Sequence, residues 1–259
     1  RSEPVGSREV VLPSAPDGKV ELAIATRRLD WPDCRNARDL GGLPRRGGVT
    51  RIGVLVRSDN IAHLTPAGRE ALTAYGVTTI IDLRTDGEVS RVPNPFADGA
   101  GPVYRHRPLI DDSMMVELGA ASGMFERYLM MLDGRPEAFR AIFEAVAEAE
   151  GGAVFHCFAG KDRTGLVAAI LLSLAGVPDD AIASDFAETD AQLAASYQEW
   201  IAAAVPERRI EMRDEFHCPP DRILGVLEHL TRKWGGVPAY LEASGMKPEN
   251  IDRLGAKLA

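Results

Sequence analysis

The chain of 259 residues is 45% hydrophobic and 26% charged, enough for one sizeable core in a single α/β domain with an elaboration. A formal net charge of -8 without any dense basic stretch excludes nucleic acid as the expected partner, because following a phosphate backbone takes clustered cations. No apolar run approaches the length of a membrane helix, so stable membrane insertion is not expected.

In chain order, residues 1–28 read as an extended lead-in with a first strand at Lys19–Thr26, and 29–259 as one domain. Trp31-Pro32-Asp33 runs into Asn36-Ala37-Arg38-Asp39-Leu40-Gly41-Gly42, and Val49–Val56 follows a turn-rich stretch as a second strand candidate. Thr65 is placed to cap, and Pro66 to open, a helix through Tyr75. The β-branched run Val77–Ile81 has the character of a parallel strand buried on both faces. It ends in Asp82-Leu83-Arg84, with Glu88 beyond. Ligand crevices in open α/β sheets lie at the carboxyl ends of strands, which predicts Asp82 near a pocket. Val103–Arg107 is an edge-strand candidate, and residues 111–123, rich in Met, Gly and Ser, read as a mobile connector. Residues 125–132 and 136–149 carry helical apolar spacing, and Gly151-Gly152 ends the second of these helices. The methionines clustered before and within the first of these helices, among them Met114, Met124 and Met130, suit either adaptable packing or the wall of a cleft.

The next stretch dominates the reading. A short apolar strand, Ala153-Val154-Phe155, leads into His156-Cys157-Phe158-Ala159-Gly160-Lys161-Asp162-Arg163-Thr164-Gly165, and an apolar helix follows from Leu166 to Leu174. A loop between strand and helix aims its N–H groups at one spot, and the helix start adds unpaired donors and a positive dipole end. That is an anion cradle, with Cys157 at its mouth and Arg163 closing it. Cationic Lys161 and Arg163 beside a helix N-terminus favour the thiolate, the nucleophilic form of cysteine. The same charges suit a phosphate dianion: Arg163 offers a planar fork for two oxygens and Lys161 a point charge. Phe158, Ala159, Gly160 and Gly165 complete the cradle. Thr164 is placed to donate its hydroxyl to the departing sulfur, and His156 to fix the loop from behind. The implied chemistry is two-step phosphate-ester hydrolysis through a phosphocysteine, with neither metal nor cofactor required.

Beyond the loop, Asp179 to about Ala204 reads as one long helix, and residues 179–215 as a helical lid or insertion over the pocket. His217-Cys218-Pro219-Pro220-Asp221-Arg222 repeats the cysteine motif superficially, but two prolines remove donors that a cradle needs, so it reads as a helix lead-in. The tail contains Trp234-Gly235-Gly236-Val237-Pro238-Ala239-Tyr240-Leu241.

The loop HCFAGKDRTG resembles the phosphate-binding loop of the cysteine-dependent protein tyrosine phosphatase superfamily. Its Lys-Asp-Arg form is similar to that of bacterial tyrosine phosphatases that also accept phosphoserine or phosphothreonine and phosphoinositides. NARDLGG, DLRTDGE and the WGGVPAYL tail resemble elements of the same family, so the likeness runs from about Leu29 to the end. It implies a tyrosine-phosphatase-like fold, a central mostly parallel sheet flanked by helices, and phosphorylated protein or phosphoinositide substrates. In many such enzymes a WPD loop shortly upstream of the nucleophile supplies the general acid. Here Trp31-Pro32-Asp33 precedes Cys157 by about half the chain and reads as a coincidence. Two candidates for the acid remain: Asp162, which matches the Lys-Asp-Arg pattern and is preferred, and Asp82, which assists or orients Arg163. Asn36, Arg38 and Asp39 are expected to brace the loop from beneath, and Arg84 to pair with Glu88.

A phospho-binding module without turnover is the alternative from another class, and sulfurtransferase or arsenate reductase chemistry a third. Three scattered cysteines, Cys34, Cys157 and Cys218, form neither a disulfide framework nor a zinc site. With no signal-peptide profile at the N-terminus, a cytoplasmic location is expected, with secretion as the alternative; oligomeric state is left open.

Overall fold

A computed structural model of the chain describes residues 27–259. The lead-in and the strand expected at Lys19–Thr26 lie outside the described residues. Seven strands follow in order: β1 Arg38–Asp39, β2 Pro44–Arg45, β3 Gly48–Val49, β4 Leu55–Ser58, β5 Val77–Asp82, β6 Val103–His106 and β7 Gly152–His156. Five of them form one sheet in the order β1-β4-β7-β5-β6, antiparallel only between β1 and β4, while β2 and β3 make a separate hairpin. Helices flank this mostly parallel sheet, an α/β architecture.

The alternation of side chains along the central strands builds two cores. Ile81, Ala153 and Phe155 join the larger cluster with Phe139, Phe143 and Ile170, whereas Ile80 and Val154 turn to the smaller one with Trp31, Ile61 and Leu72. Trp31 is therefore a core side chain, set edge-on to Tyr75 with ring centroids 6.2 Å apart. At the start of β7 only glycine fits: a Cβ on Gly152 would stand 2.7 Å from the Gly76 carbonyl oxygen and 2.9 Å from that of Gly53. The helix after β7, Asp162–Leu174, buries nearly its whole circumference, as an all-round apolar helix must.

Two expectations are corrected. Val49–Val56 is not one strand: Gly53 adopts a positive φ of 81°, and the Thr50 hydroxyl donates to the Leu40 carbonyl at 2.7 Å, so only Leu55–Ser58 continues as β4. Residues 111–123 are no simple connector, because Asp111 caps a helix over Asp112–Leu118, its carboxylate accepting from the Met114 N–H at 2.8 Å. Elsewhere the helices Pro66–Ala74, Met124–Gly134 and Pro136–Glu148 and the edge strand β6 lie close to the expected positions. The long helix spans Asp179–Ala203. Its first half is core, through Ala181, Ile182 and Phe186, while Tyr197 and Trp200 in its second half wall a cavity together with Phe216 from the helix Arg209–Phe216. Among the described residues no helix is long and apolar enough to cross a membrane.

Candidate active site

β7 is the middle strand of the sheet, so whatever follows it emerges at the centre of the carboxyl-terminal edge. The loop 157–161 turns there through Gly160, whose φ is +66° and whose added Cβ would meet the Ser58 carbonyl oxygen at 2.5 Å. Three successive carbonyls of this loop are held from below. Asn60 N–H donates to Phe158 O at 3.0 Å, Asn36 Nδ2 to Ala159 O at 3.0 Å and to Gly160 O at 3.2 Å, and Arg57 Nη2 to Gly160 O at 2.8 Å. In planar peptides the N–H of the next residue points the opposite way, so the amides of residues 159–161 turn from this floor toward the cavity.

The floor is itself braced by charge. Arg38 donates to Asn36 Oδ1 at 2.5 Å, and Arg27, Arg38 and Arg57 converge on the Asp185 carboxylate, Arg57 at 2.6 Å and Arg38 at 3.2 Å. All four groups are buried. Burial opposes ionisation of Asp185, but the three guanidiniums outweigh it and hold its pKa far below the carboxylate range. Burial, with Arg57 alongside, lowers Arg38 to about 10.

Cys157 is only 2% exposed and lies at the bottom of a cavity of about 370 Å³ walled by Phe158, Lys161, Asp162, Arg163, Tyr197 and Trp200. Arg163 is locked in a fork by Glu88, with Nη1–Oε2 at 2.5 Å and Nη2–Oε1 at 2.9 Å. Burial would lower the Arg163 pKa, but the Glu88 hydrogen bonds and the neighbouring Cys157 raise it above its ordinary value. Asp162, at the first position of its helix, accepts from the Tyr128 hydroxyl at 2.5 Å and lies 3.1 Å from Lys161 Nζ. Burial, with Asp162 alongside, pushes the Tyr128 phenol well up, so that it stays a neutral donor to this carboxylate. The Thr164 hydroxyl is buried and without a hydrogen-bond partner among the described residues. Behind the loop, the buried His156 has its pKa lowered chiefly by desolvation. In the neutral ring, Nδ1–H donates to Cys157 O at 3.2 Å and Nε2 accepts from Asn94 Nδ2 at 3.2 Å.

The model of the tyrosine phosphatase family matches residues 29–259, nearly all of the described chain. The chain belongs to the tyrosine phosphatase family. A tyrosine-protein phosphatase of Nostoc commune is 32% identical over 221 residues, covering 78% of this chain and 73% of its own. A Cupriavidus necator protein with a tyrosine-protein phosphatase name is 30% identical over 91% of this chain and 89% of its own length. The triple specificity protein phosphatase PtpB of Mycobacterium tuberculosis is 26% identical over 89% of this chain and 98% of its own.

In this tyrosine phosphatase family member the expected site residues divide. Cys157, Phe158, Ala159, Lys161, Asp162 and Arg163 meet at one cavity, with Gly160, Thr164 and Gly165 buried in its support. Asp82 does not join them: it is fully buried, gripped by Arg84 (Nε–Oδ1 2.9 Å, Nη2–Oδ2 2.6 Å), accepts from Tyr104 at 3.0 Å, and is absent from the cavity wall. Against its own desolvation, the Arg84 guanidinium holds its pKa below the usual range. The expected Arg84–Glu88 pair is corrected accordingly: Arg84 belongs to Asp82, and Glu88 to Arg163. Cys218 is buried before the helix Pro220–His229, its N–H donating to Asp190 at 3.0 Å. Asp33 stands exposed with a φ of 63°. Sequence reasoning missed Tyr128 and Asp185, and it missed the Arg163 partnership of Glu88.

Two expected results arise directly. Gly160→Ala forces a side chain into the β4 backbone at a left-handed φ and displaces the loop amides, so kcat/KM should fall about 100-fold. Steady-state kinetics check this, and a near-normal rate would contradict the tight fit. The second concerns acid stability. Asp82, Glu88 and Asp185 all have folded-state pKa values below their ordinary 3.8 to 4.5. The unfolded chain therefore takes up protons first, and their stabilisation is complete above about pH 4.5 and lost as pH falls below it. Melting temperature should drop from pH 5 toward pH 3; a rise over that window would refute the assignment.

Proposed function

We propose that this phosphatase hydrolyses phosphotyrosine, phosphoserine or phosphothreonine, and phosphoinositides, through a phosphocysteine on Cys157. The supporting observation is the convergence, in one cavity, of a buried cysteine under inward-turned loop amides, a fork-locked Arg163 and a hydrogen-bonded carboxylate at Asp162. The mycobacterial relative's name, triple specificity protein phosphatase, lends support to the breadth.

The substrate's non-bridging oxygens lie against the N–H groups of residues 159–161 and the Arg163 N–H groups not taken by Glu88, which stay complementary as charge spreads over the phosphoryl group. The Cys157 thiolate attacks phosphorus in line, and the P–O bond to the leaving alcohol breaks. Protonated Asp162 gives its proton to that oxygen. In the second step Asp162, now a carboxylate, takes a proton from water as the water attacks phosphorus, and the P–S bond breaks with the electron pair returning to sulfur. Thr164 donates its unpartnered hydroxyl to the departing thiolate. Tyr128 and Lys161 orient Asp162 through both steps. The alternative, a binding module that holds the phosphate without turnover, uses the same cradle but leaves the Asp162 arrangement without a role.

The reading is tested on a panel of phosphotyrosine peptide, phosphoserine peptide and phosphatidylinositol monophosphate; absence of turnover on every member leaves the binding module. Asp162→Asn identifies the acid. Its rate should fall about 100-fold or more on a phosphotyrosine peptide and little on an activated aryl phosphate, whose leaving group departs unprotonated. Wild-type rates on both would remove Asp162 from the mechanism.

A further inference from the structure

One ion pair inside the cavity is unused by this mechanism. Arg127, from the helix Met124–Gly134, lines the cavity and pairs with Glu215 at Nη1–Oε1 2.8 Å. Arg208 lies 3.6 Å from the other oxygen of Glu215. The backbone carbonyl of Glu215 meanwhile accepts from Lys161 Nζ. A single residue at the end of the helix Arg209–Phe216 thus occupies two cations of the wall, one with its carboxylate and one with its carbonyl. The Arg127 Nε is buried with no hydrogen-bond partner among the described residues. An ion pair in a partly dry cavity carries a desolvation cost that a simple apolar wall avoids.

We infer that Arg127 and Lys161 form a second anion subsite, held closed by Glu215, for a compact substrate that carries a second phosphate on the same ring as the scissile one. The inference rests on the phosphatase reading above and narrows it. Arg127 belongs to a different element from the phosphate loop, so it is available to a group other than the scissile phosphoryl. It shares one cavity of about 370 Å³ with Cys157, so the second anion must sit close to the first. The aromatic wall of Phe158, Tyr197, Trp200 and Phe216 supplies an uncharged surface for the ring between them. Entry of the second phosphate replaces the Glu215 carboxylate on Arg127, exchanging one charge-assisted pair for another of higher charge.

The test compares soluble short-chain phosphatidylinositol monophosphate and bisphosphate, with an acidic phosphotyrosine peptide as a third arm. In Arg127→Gln, kcat/KM for the bisphosphate should fall at least about tenfold more than for the monophosphate, as loss of a charge-assisted contact predicts. In Glu215→Gln, which leaves the carbonyl to Lys161 in place but frees Arg127, the preference for bisphosphate over monophosphate should rise. Equal losses on the two lipids in Arg127→Gln, an unchanged preference in Glu215→Gln, or a loss confined to the peptide would each overturn the subsite. Wild-type turnover of the monophosphate judges the underlying reading separately: if it proceeds while the preferences stay flat, only the subsite fails.

Discussion

Cys157→Ser is expected to abolish turnover of every phosphomonoester, by a factor on the order of 10⁴ or more, while phosphate and vanadate still bind. A serine hydroxyl carries its proton at neutral pH, and among the described residues no side chain is hydrogen-bonded to the Cys157 side chain as a base to remove it. In the mechanism proposed above Asp162 enters the first step as the acid for the leaving oxygen, so it does not serve as that base. The anion site survives because it is built from other parts, the loop amides and Arg163 locked on Glu88. With Cys157 only 2% exposed and Ser similar in size, the fold should hold. Rapid-quench kinetics should find no phosphoenzyme in the variant, whereas calorimetry finds phosphate binding close to wild type. Substantial hydrolysis by the serine variant would exclude a phosphocysteine.

Asp185→Ala should cost about 3–5 kcal/mol of stability. The carboxylate has three buried guanidiniums as partners, and its removal leaves them facing one another with, among the described residues, only Glu188, 3.8 Å from Arg38 and 4.0 Å from Arg27, as counter-charge. For a chain of this size that corresponds to a melting temperature lower by roughly 6–20 °C. The effect extends to the active site, because Arg57 and Arg38 position the carbonyls beneath the phosphate loop, Arg57 directly and Arg38 through Asn36. Activity measured well below the new melting point should therefore also fall. Denaturant unfolding and kinetics on the same preparation check both parts. A variant that melts like wild type would show that the arginines pair adequately without Asp185. Asp185→Asn, which keeps the shape and removes the charge, should lose nearly as much stability, since charge compensation and not volume carries the interaction.

What could be read without the structure was what local rules encode. The phosphate loop is continuous in sequence, with strand, glycine turn and helix start adjacent, so its nucleophile, cations and anion-binding geometry follow from residue types in order. The cap at Thr65, the buried run at 77–81 and the long helix from Asp179 were legible for the same reason, since capping chemistry and apolar periodicity act over a few residues. Where two local signals competed they were misleading: residues 49–56 look extended until Gly53 turns the chain, and the short Asp111-capped helix is masked by the glycines and serines around it.

The remainder depended on pairings far apart in the chain. Nothing around Asp185 marks it as the counter-charge of arginines 128 to 158 positions away, and Tyr128 reaches Asp162 across 34 residues. Asp82 shows the limit most clearly. Its place at a strand end agrees with the sequence, but whether a carboxylate at such an end faces the cavity or the core is decided by its partners, and Arg84 and Tyr104 draw it inward. The sequence by itself determined that a glycine-turned, cysteine-bearing loop stands between a buried strand and a buried helix. Tertiary structure alone decided which charges support that cradle, which carboxylate shares its cavity and which residue occupies its cations, because electrostatic partners are selected by distance in space and leave no local pattern in the chain.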